Sequence, residues 1–196
     1  MATCREDKVI IPIHRPNLRE KSFFFVSGMT VSIPFTLYVG AMIKQLCFVM
    51  PLFQARLCST AFITPFIEEL AKAYPLFYRH GETEKSVFTL GFIGGLGFGL
   101  VEFLIYVLQL REPIHARLPL ILFHAASTSI TAYGIAKNRP LWLYLVAVAL
   151  HSIMNIFAIF GLLFLISGYP LLIGTFLIVW YLYRKTSDTF VDSKSH

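Results

Sequence analysis

The stretch VFTLGFIGGLGFGLVEFLIYVLQL, residues 87–110, holds a single charged residue, Glu102. About 20 mostly apolar residues suffice for a helix to cross the hydrocarbon core of a bilayer. Five comparable runs surround it, at about 23–43, 55–78, 118–136, 141–165 and 169–183. The sequence therefore predicts an all-α integral membrane protein of about six transmembrane helices. The 55–78 run is the least regular. Apolar residues begin at Leu46, and Pro51 either kinks a longer helix or ends a re-entrant piece.

Composition points the same way. Of 196 residues, 56% are hydrophobic and 14% charged, against roughly 25% charged in soluble domains. The mean hydropathy is +0.67. An ordinary cytosolic enzyme, a disordered chain and a disulfide scaffold are excluded. Cys4, Cys47 and Cys58 are odd in number and form no CxxC. Neither a disulfide framework nor a thiolate zinc site is expected. One membrane domain, 23–185, lies between an N-terminal segment, 1–22, and a tail, 186–196, that is polar, short and expected to be mobile. Residues 5–21 are charged and contain Pro12 and Pro16, so the first run reads as a retained span rather than a cleaved signal.

Six spans put both termini on one side. Arg5, Lys8, Arg15, Arg19, Lys21, Arg79, Lys85, Lys137, Arg139, Arg184, Lys185 and Lys194 would share it. Lys44, Arg56, Arg111 and Arg117 would lie opposite. Lys and Arg favour cytoplasmic ends, so both termini are expected in the cytoplasm. The same bias accounts for the net charge of +6, and no nucleic-acid partner is expected.

A short set of residues does not belong in lipid. Glu68, Glu69 and Lys72 lie in the second span, Glu102 in the third, His124 in the fourth and His151 in the fifth. Each ionised group costs about 2.5–3.5 kcal/mol at a helix centre on insertion scales. Six of them on four successive helices predict one polar site inside the bundle formed by helices 2–5. His151 and Asn155 are four apart and share a helix face. Gly91, Gly95 and Gly99 form two overlapping GxxxG steps that admit a neighbouring helix, and Glu102 follows Gly99 by three. Glu68 and Glu69 point about 100° apart, and Lys72 is placed to neutralise either. At roughly 1.5 Å per residue, the set falls between the midplane and the non-cytoplasmic face.

Two His with two or three carboxylates suit zinc with one position open to water. Zinc lowers the pKa of that water toward about 7 and polarises a carbonyl. A free carboxylate can act as general base, and Asn155 can donate to a developing oxyanion. Peptide-bond hydrolysis within the membrane is the nearest chemistry. The residues allow Glu102, His124 and His151 as zinc ligands. One of Glu68 and Glu69 would be a further ligand, and the other the base or the partner of Lys72. Glu69 as ligand and Glu68 as base is the preferred division. A metal-free variant, with carboxylate and His activating water directly, stays open. HExxH and GxSxG are absent, and Asp occurs only at 7, 188 and 192, outside every span. Zincin, serine and aspartyl chemistry are thus disfavoured. Ser127 and Ser129 read as helix-packing residues, and His14, His80, His115 and His196 lie in tails or loops.

The order of the motifs resembles a known family. Glu68-Glu69-Leu70-Ala71-Lys72 reads EExxK. Phe98 to Glu102 reads FxxxE and is followed by Tyr106. His124 comes next, and His151 to Asn155 reads HxxxN. This series, across about residues 62–159, is similar to the PrsW family of intramembrane proteases, within the superfamily of CAAX prenyl endopeptidases and bacteriocin-processing proteases. Glu102 matches the PrsW branch, where the CAAX branch has His. Phe103 departs from the Asn that often follows that Glu. The resemblance implies a metal-dependent endopeptidase acting on a membrane-anchored protein or peptide, on the extracytoplasmic side. Two other classes compete: a proton-coupled transporter or channel, and a catalytically silent scaffold of the same superfamily. The former lacks paired halves or matched broken helices.

Overall fold

The structure, a computed structural model, describes residues 15–78, 83–161, 164–189 and 191. Arg5, Lys8, Arg79, Lys194, Cys4, His14, His80 and His196 lie outside the described residues. Among those described there is no strand. The helices are α1, Leu18–Cys47; α2, residues 52–78; α3, Glu84–Gln109; α4, Ile114–Ala136; α5, Pro140–Ile159; and α6, Ile166–Lys185. All but α2 are long and apolar enough to cross a membrane. Helix α2 carries Arg56, Glu68, Glu69 and Lys72, and its charge keeps it out of that group.

Local chemistry sets the ends. Asn17 Oδ1 accepts from the Glu20 amide, and Glu20 Oε2 accepts from the Asn17 amide, both at 2.9 Å. This capping box starts α1 at Leu18, ahead of the apolar run. Pro51 is the N-cap of α2. It therefore separates two helices and does not kink one. The turn it makes brings Cys47 and Cys58 together as a disulfide, with Cα atoms 5.7 Å apart. This overturns the expectation from cysteine count. Parity and CxxC spacing do not register two residues that a helical turn folds into contact.

Helix α3 is the central element. Along Gly91, Gly95 and Gly99 it lies close against α4, with no side chain of its own at those three positions. A Cβ at Gly95 would meet Thr128 Oγ1 at 2.6 Å and Ala125 Cα at 2.8 Å. The same helix presents a second bare face to α1, where a Cβ on Gly97 would strike the Phe25 carbonyl. The expected GxxxG approach is present, and further glycines extend it to another neighbour. Apolar packing fills the rest. Phe24, Leu76, Leu90 and Ala132 are buried in one cluster, and Phe88, Ile130, Ala147 and Val179 in another. Outer faces carry exposed Tyr38, Trp142, Ile173 and Trp180, as a lipid-facing surface requires.

Residues 186–189, the start of the tail expected to be mobile, are fastened, while 190 and 192–196 lie outside the described residues. Glu84 Oε2 accepts from the Ser187 amide at 3.0 Å and from Ser187 Oγ at 2.8 Å. The Glu84 amide donates to the Thr189 carbonyl at 3.1 Å. Lys137 Nζ completes the knot, 2.6 Å from Glu84 Oε1. The first turn of α3 offers amides with no intrahelical partner, and the tail supplies acceptors that composition alone does not reveal.

Gly95→Val should destabilise the bundle by about 1–3 kcal/mol through overpacking. Gly174→Ala, where a Cβ meets nothing within 4 Å, should not. Thermal unfolding of both variants in detergent checks this, and equal midpoints would contradict the close approach of α3 and α4.

Candidate active site

Four helices deliver the intramembrane polar residues to one place. Helix α2 supplies Glu68, Glu69 and Lys72, all buried. They sit one turn beyond Leu57–Ile63, which is wound as a π-helix. Such wide turns recur at functional sites. Helix α3 supplies Glu102, just ahead of a second π-helical turn, Ile105–Gln109. Helix α4 supplies His124 and α5 supplies His151, each 3% exposed. Phe98 and Phe123 pack on the imidazoles, with ring centroids 5.1 Å from His124 and 5.7 Å from His151, respectively.

One carboxylate oxygen ties the cluster together. Glu69 Oε1 accepts from Lys72 Nζ at 2.6 Å, His151 Nδ1 at 2.8 Å and Ser127 Oγ at 3.0 Å. Lys72 thus neutralises Glu69, three residues back, and not Glu68, four back. Its ammonium also lies 3.1 Å from His124 Nδ1 and 5.1 Å from the Phe98 ring centroid. The His124 ring faces Lys72 through Nδ1 and Glu102 Oε2 through Nε2, with which it is in close contact, and a cation held by His124 would take the place of one of these contacts. A carboxylate only accepts, so His151 Nδ1 is the protonated nitrogen. His151 Nε2 is left with a lone pair, 3.6 Å from Glu68 Oε2.

Glu68 Oε2 is buried and has no hydrogen-bond partner. Leaving such an atom unmatched is costly. Glu68, His124 and His151 each bring one ligand atom into a group whose members lie within 4.8 Å of one another. Two nitrogens and one oxygen at that spacing are a donor set that zinc accepts. The carboxylate–His151 contact from Glu69 is the usual support for a metal-binding imidazole. A cation therefore fits the residues present. A cavity of about 720 Å³ opens onto Glu68, Glu102, His124, His151 and Asn155.

Residues 19–182 match the model of the PrsW family intramembrane metalloproteases. The chain belongs to the PrsW family. No curated protein and no solved structure matches it. Membership of the PrsW family makes the chain an integral, multi-pass membrane protein and an intramembrane protease, a hydrolase that takes peptide substrates in a lipid environment.

In this PrsW-family chain the residues singled out from sequence line one cavity or lie beside it, with the division of labour open between them. Glu68 stands with the two His, and Glu69 faces Lys72 and Ser127. Glu102 touches His124. Asn155 lines the cavity, but its Nδ2 donates to the Thr60 carbonyl at 2.9 Å, which ties α5 to the π-helical turn of α2. Ser129 donates to its own helix at the Ala125 carbonyl and is a packing residue. Ser127 is not only that. Its hydroxyl joins the Glu69–Lys72 pair, and only its position one turn after His124 hinted at this.

Lys72→Met should be strongly destabilising, by about 3–5 kcal/mol, because it strands a buried Glu69 charge. Adding Glu69→Gln should recover a large part of the loss. Denaturation midpoints of the two variants decide it, and a single variant as stable as wild type would contradict the pairing.

Proposed function

We propose that the chain is a zinc-dependent intramembrane protease in which Glu68, His124 and His151 hold the metal. The carrying observation is the grouping of Glu68 with the two imidazoles; Glu68 Oε2, like Glu69 Oε2, is buried without a hydrogen-bond partner. When bound, zinc would activate a water molecule and polarise the scissile carbonyl. The chain's own residues prepare that chemistry. Glu69 holds the proton on His151 Nδ1 and so leaves Nε2 as a ligand. Lys72 and Ser127 keep Glu69 ionised and in place. Hydrolysis moves a proton from water to the departing amine nitrogen. Glu102, in the cavity wall beside His124, is the carboxylate we assign to that transfer. Asn155 positions the wall through Thr60, and Phe98 and Phe123 exclude bulk water from the imidazoles. Relative to the preferred division from sequence, Glu68 thus moves from base to ligand, Glu69 from ligand to the support of His151, and Glu102 from ligand to proton transfer. Placement in the CAAX and bacteriocin-processing superfamily belongs to the same proposal.

Metal content and cleavage test it together. Purified protein should carry about one zinc per chain. Glu68→Gln and His151→Ala should lose metal and activity. Glu69→Gln should weaken zinc binding roughly 10- to 100-fold. Glu102→Gln should keep the metal and lose roughly 10²- to 10⁴-fold in cleavage rate. A Glu68→Gln variant that retains full zinc, or wild type without metal, would refute the assignment.

The site belongs, in this proposal, to the non-cytoplasmic half of the bundle, and both termini to the cytoplasm. The Cys47–Cys58 disulfide supports the orientation, since disulfides persist in oxidising compartments. Both cysteines lie by the turn that joins α1 to α2, the side that charge bias places outside. In intact cells, a membrane-impermeant maleimide should label Cys47 and Cys58 after mild reduction and not before. Labelling without reduction, or only after lysis, would reverse the reading.

A further inference from the structure

The cavity that ends at Glu68 and the imidazoles begins among cations. Lys44, Arg56 and Arg117 line it, with Glu112 the carboxylate among them. They come from three places: the end of α1, the start of α2 and the start of α4. Those same three account for all but Arg111 of the basic residues counted on the non-cytoplasmic side. Basic residues are scarce on that side of a membrane protein, so their concentration around one opening calls for a reason.

Their chemistry is unspent. Lys44 and Arg56 have no ion pair among the described residues. Arg117 reaches Glu112 at 3.4 Å and stacks 3.6 Å above the Tyr106 ring centroid. The stacking fixes the guanidinium plane, and one such carboxylate contact leaves part of its five-donor fork available. The Cys47–Cys58 disulfide clips together the two segments that bear Lys44 and Arg56. Lys44 folds back along α1, so that a Cβ at Gly40 would lie 3.6 Å from its Nζ. Charge along the cavity is therefore graded. The outer part holds three cations and one carboxylate, and the inner part holds Glu68 and Glu102.

We infer that the Lys44–Arg56–Arg117 mouth docks acidic side chains that flank the scissile bond of a peptide substrate. The inference rests on the proteolytic reading above and adds its substrate class. An acidic flank is attracted to the mouth, whereas further in Glu68 and Glu102 would balance the charge of a bound cation and leave no excess positive charge to draw it deeper. It stops at the rim and sets how far the adjoining apolar segment enters. A phospholipid phosphate offers the mouth similar charge. A peptide is favoured because the cavity continues past the cations to Asn155 and the two imidazoles, where a headgroup would only obstruct.

The test uses full-length protein in nanodiscs of neutral phosphatidylcholine. Two labelled peptides share one apolar segment and carry either an Asp/Glu or a Lys/Arg flank. At low salt the acidic peptide should bind at least about tenfold more tightly, about 1.4 kcal/mol. The preference should shrink as salt screens it. It should vanish in Lys44→Gln/Arg56→Gln and reverse in Lys44→Glu/Arg56→Glu, with unfolding midpoints as the folding control. Equal affinities in wild type, or a preference untouched in the milder variant, would overturn the inference. So would a variant that loses co-purifying anionic lipid and keeps its peptide preference. Cleavage of the same peptides separates the two readings. Preferential binding without cleavage sinks the protease and keeps the docking site. Cleavage without preference does the reverse, and neither binding nor cleavage overturns both.

Discussion

Glu69 Oε1 is the atom on which the bundle interior depends. It accepts from Lys72 on its own helix, from Ser127 on α4 and from His151 on α5. The Glu69 and Lys72 side chains are fully buried. Two bare charges there would cost several kcal/mol each after relaxation, and the three donors are what make the arrangement tolerable. The same hydrogen bonds orient His151 and, through Lys72, His124. Stability and site geometry thus share one set of contacts.

The glycines of α3 make that set reachable. With no Cβ at Gly95 or Gly99, α4 approaches until His124 lies beside Glu102 on the neighbouring helix. A larger residue would push the helices apart and lengthen a contact that holds the His124 ring. The polar cluster and the bare glycine face are therefore parts of one design. Both bring backbones close in a setting where apolar side chains gain little from leaving lipid. The π-helical turns on α2 and α3 fit the same picture. They re-aim the chain next to Glu68 and Glu102, and Asn155 holds the first of them through the Thr60 carbonyl.

Much of the fold was legible because a bilayer demands long apolar runs. Helix ends were less so. The capping box at Asn17 lies in a charged stretch, outside the apolar run. The Cys47–Cys58 pair depends on the turn at Pro51, and the strap from Ser187 to Glu84 depends on where α6 finishes. None of these contacts has a periodic signature. In the site, charged residues inside apolar spans stood out at once, whereas Ser127 did not, since a hydroxyl in a membrane helix more often bonds its own backbone, as Ser129 does. Lys44, Arg56 and Arg117 looked like loop charges until the cavity joined them.

By itself the sequence determined a helical membrane protein, the motifs that carry the resemblance to the PrsW family, and the residues that must meet inside the bundle. These follow from transfer costs, which depend on composition and spacing alone. Tertiary structure decided which partner each of those residues takes. Glu68 and Glu69 are adjacent in the chain and chemically identical, and Lys72 lies within reach of both. Only the positions of α4 and α5 give Glu69 three donors and leave Glu68 Oε2 facing the imidazoles, because hydrogen bonding acts over a few ångströms between helices that the sequence does not order in space.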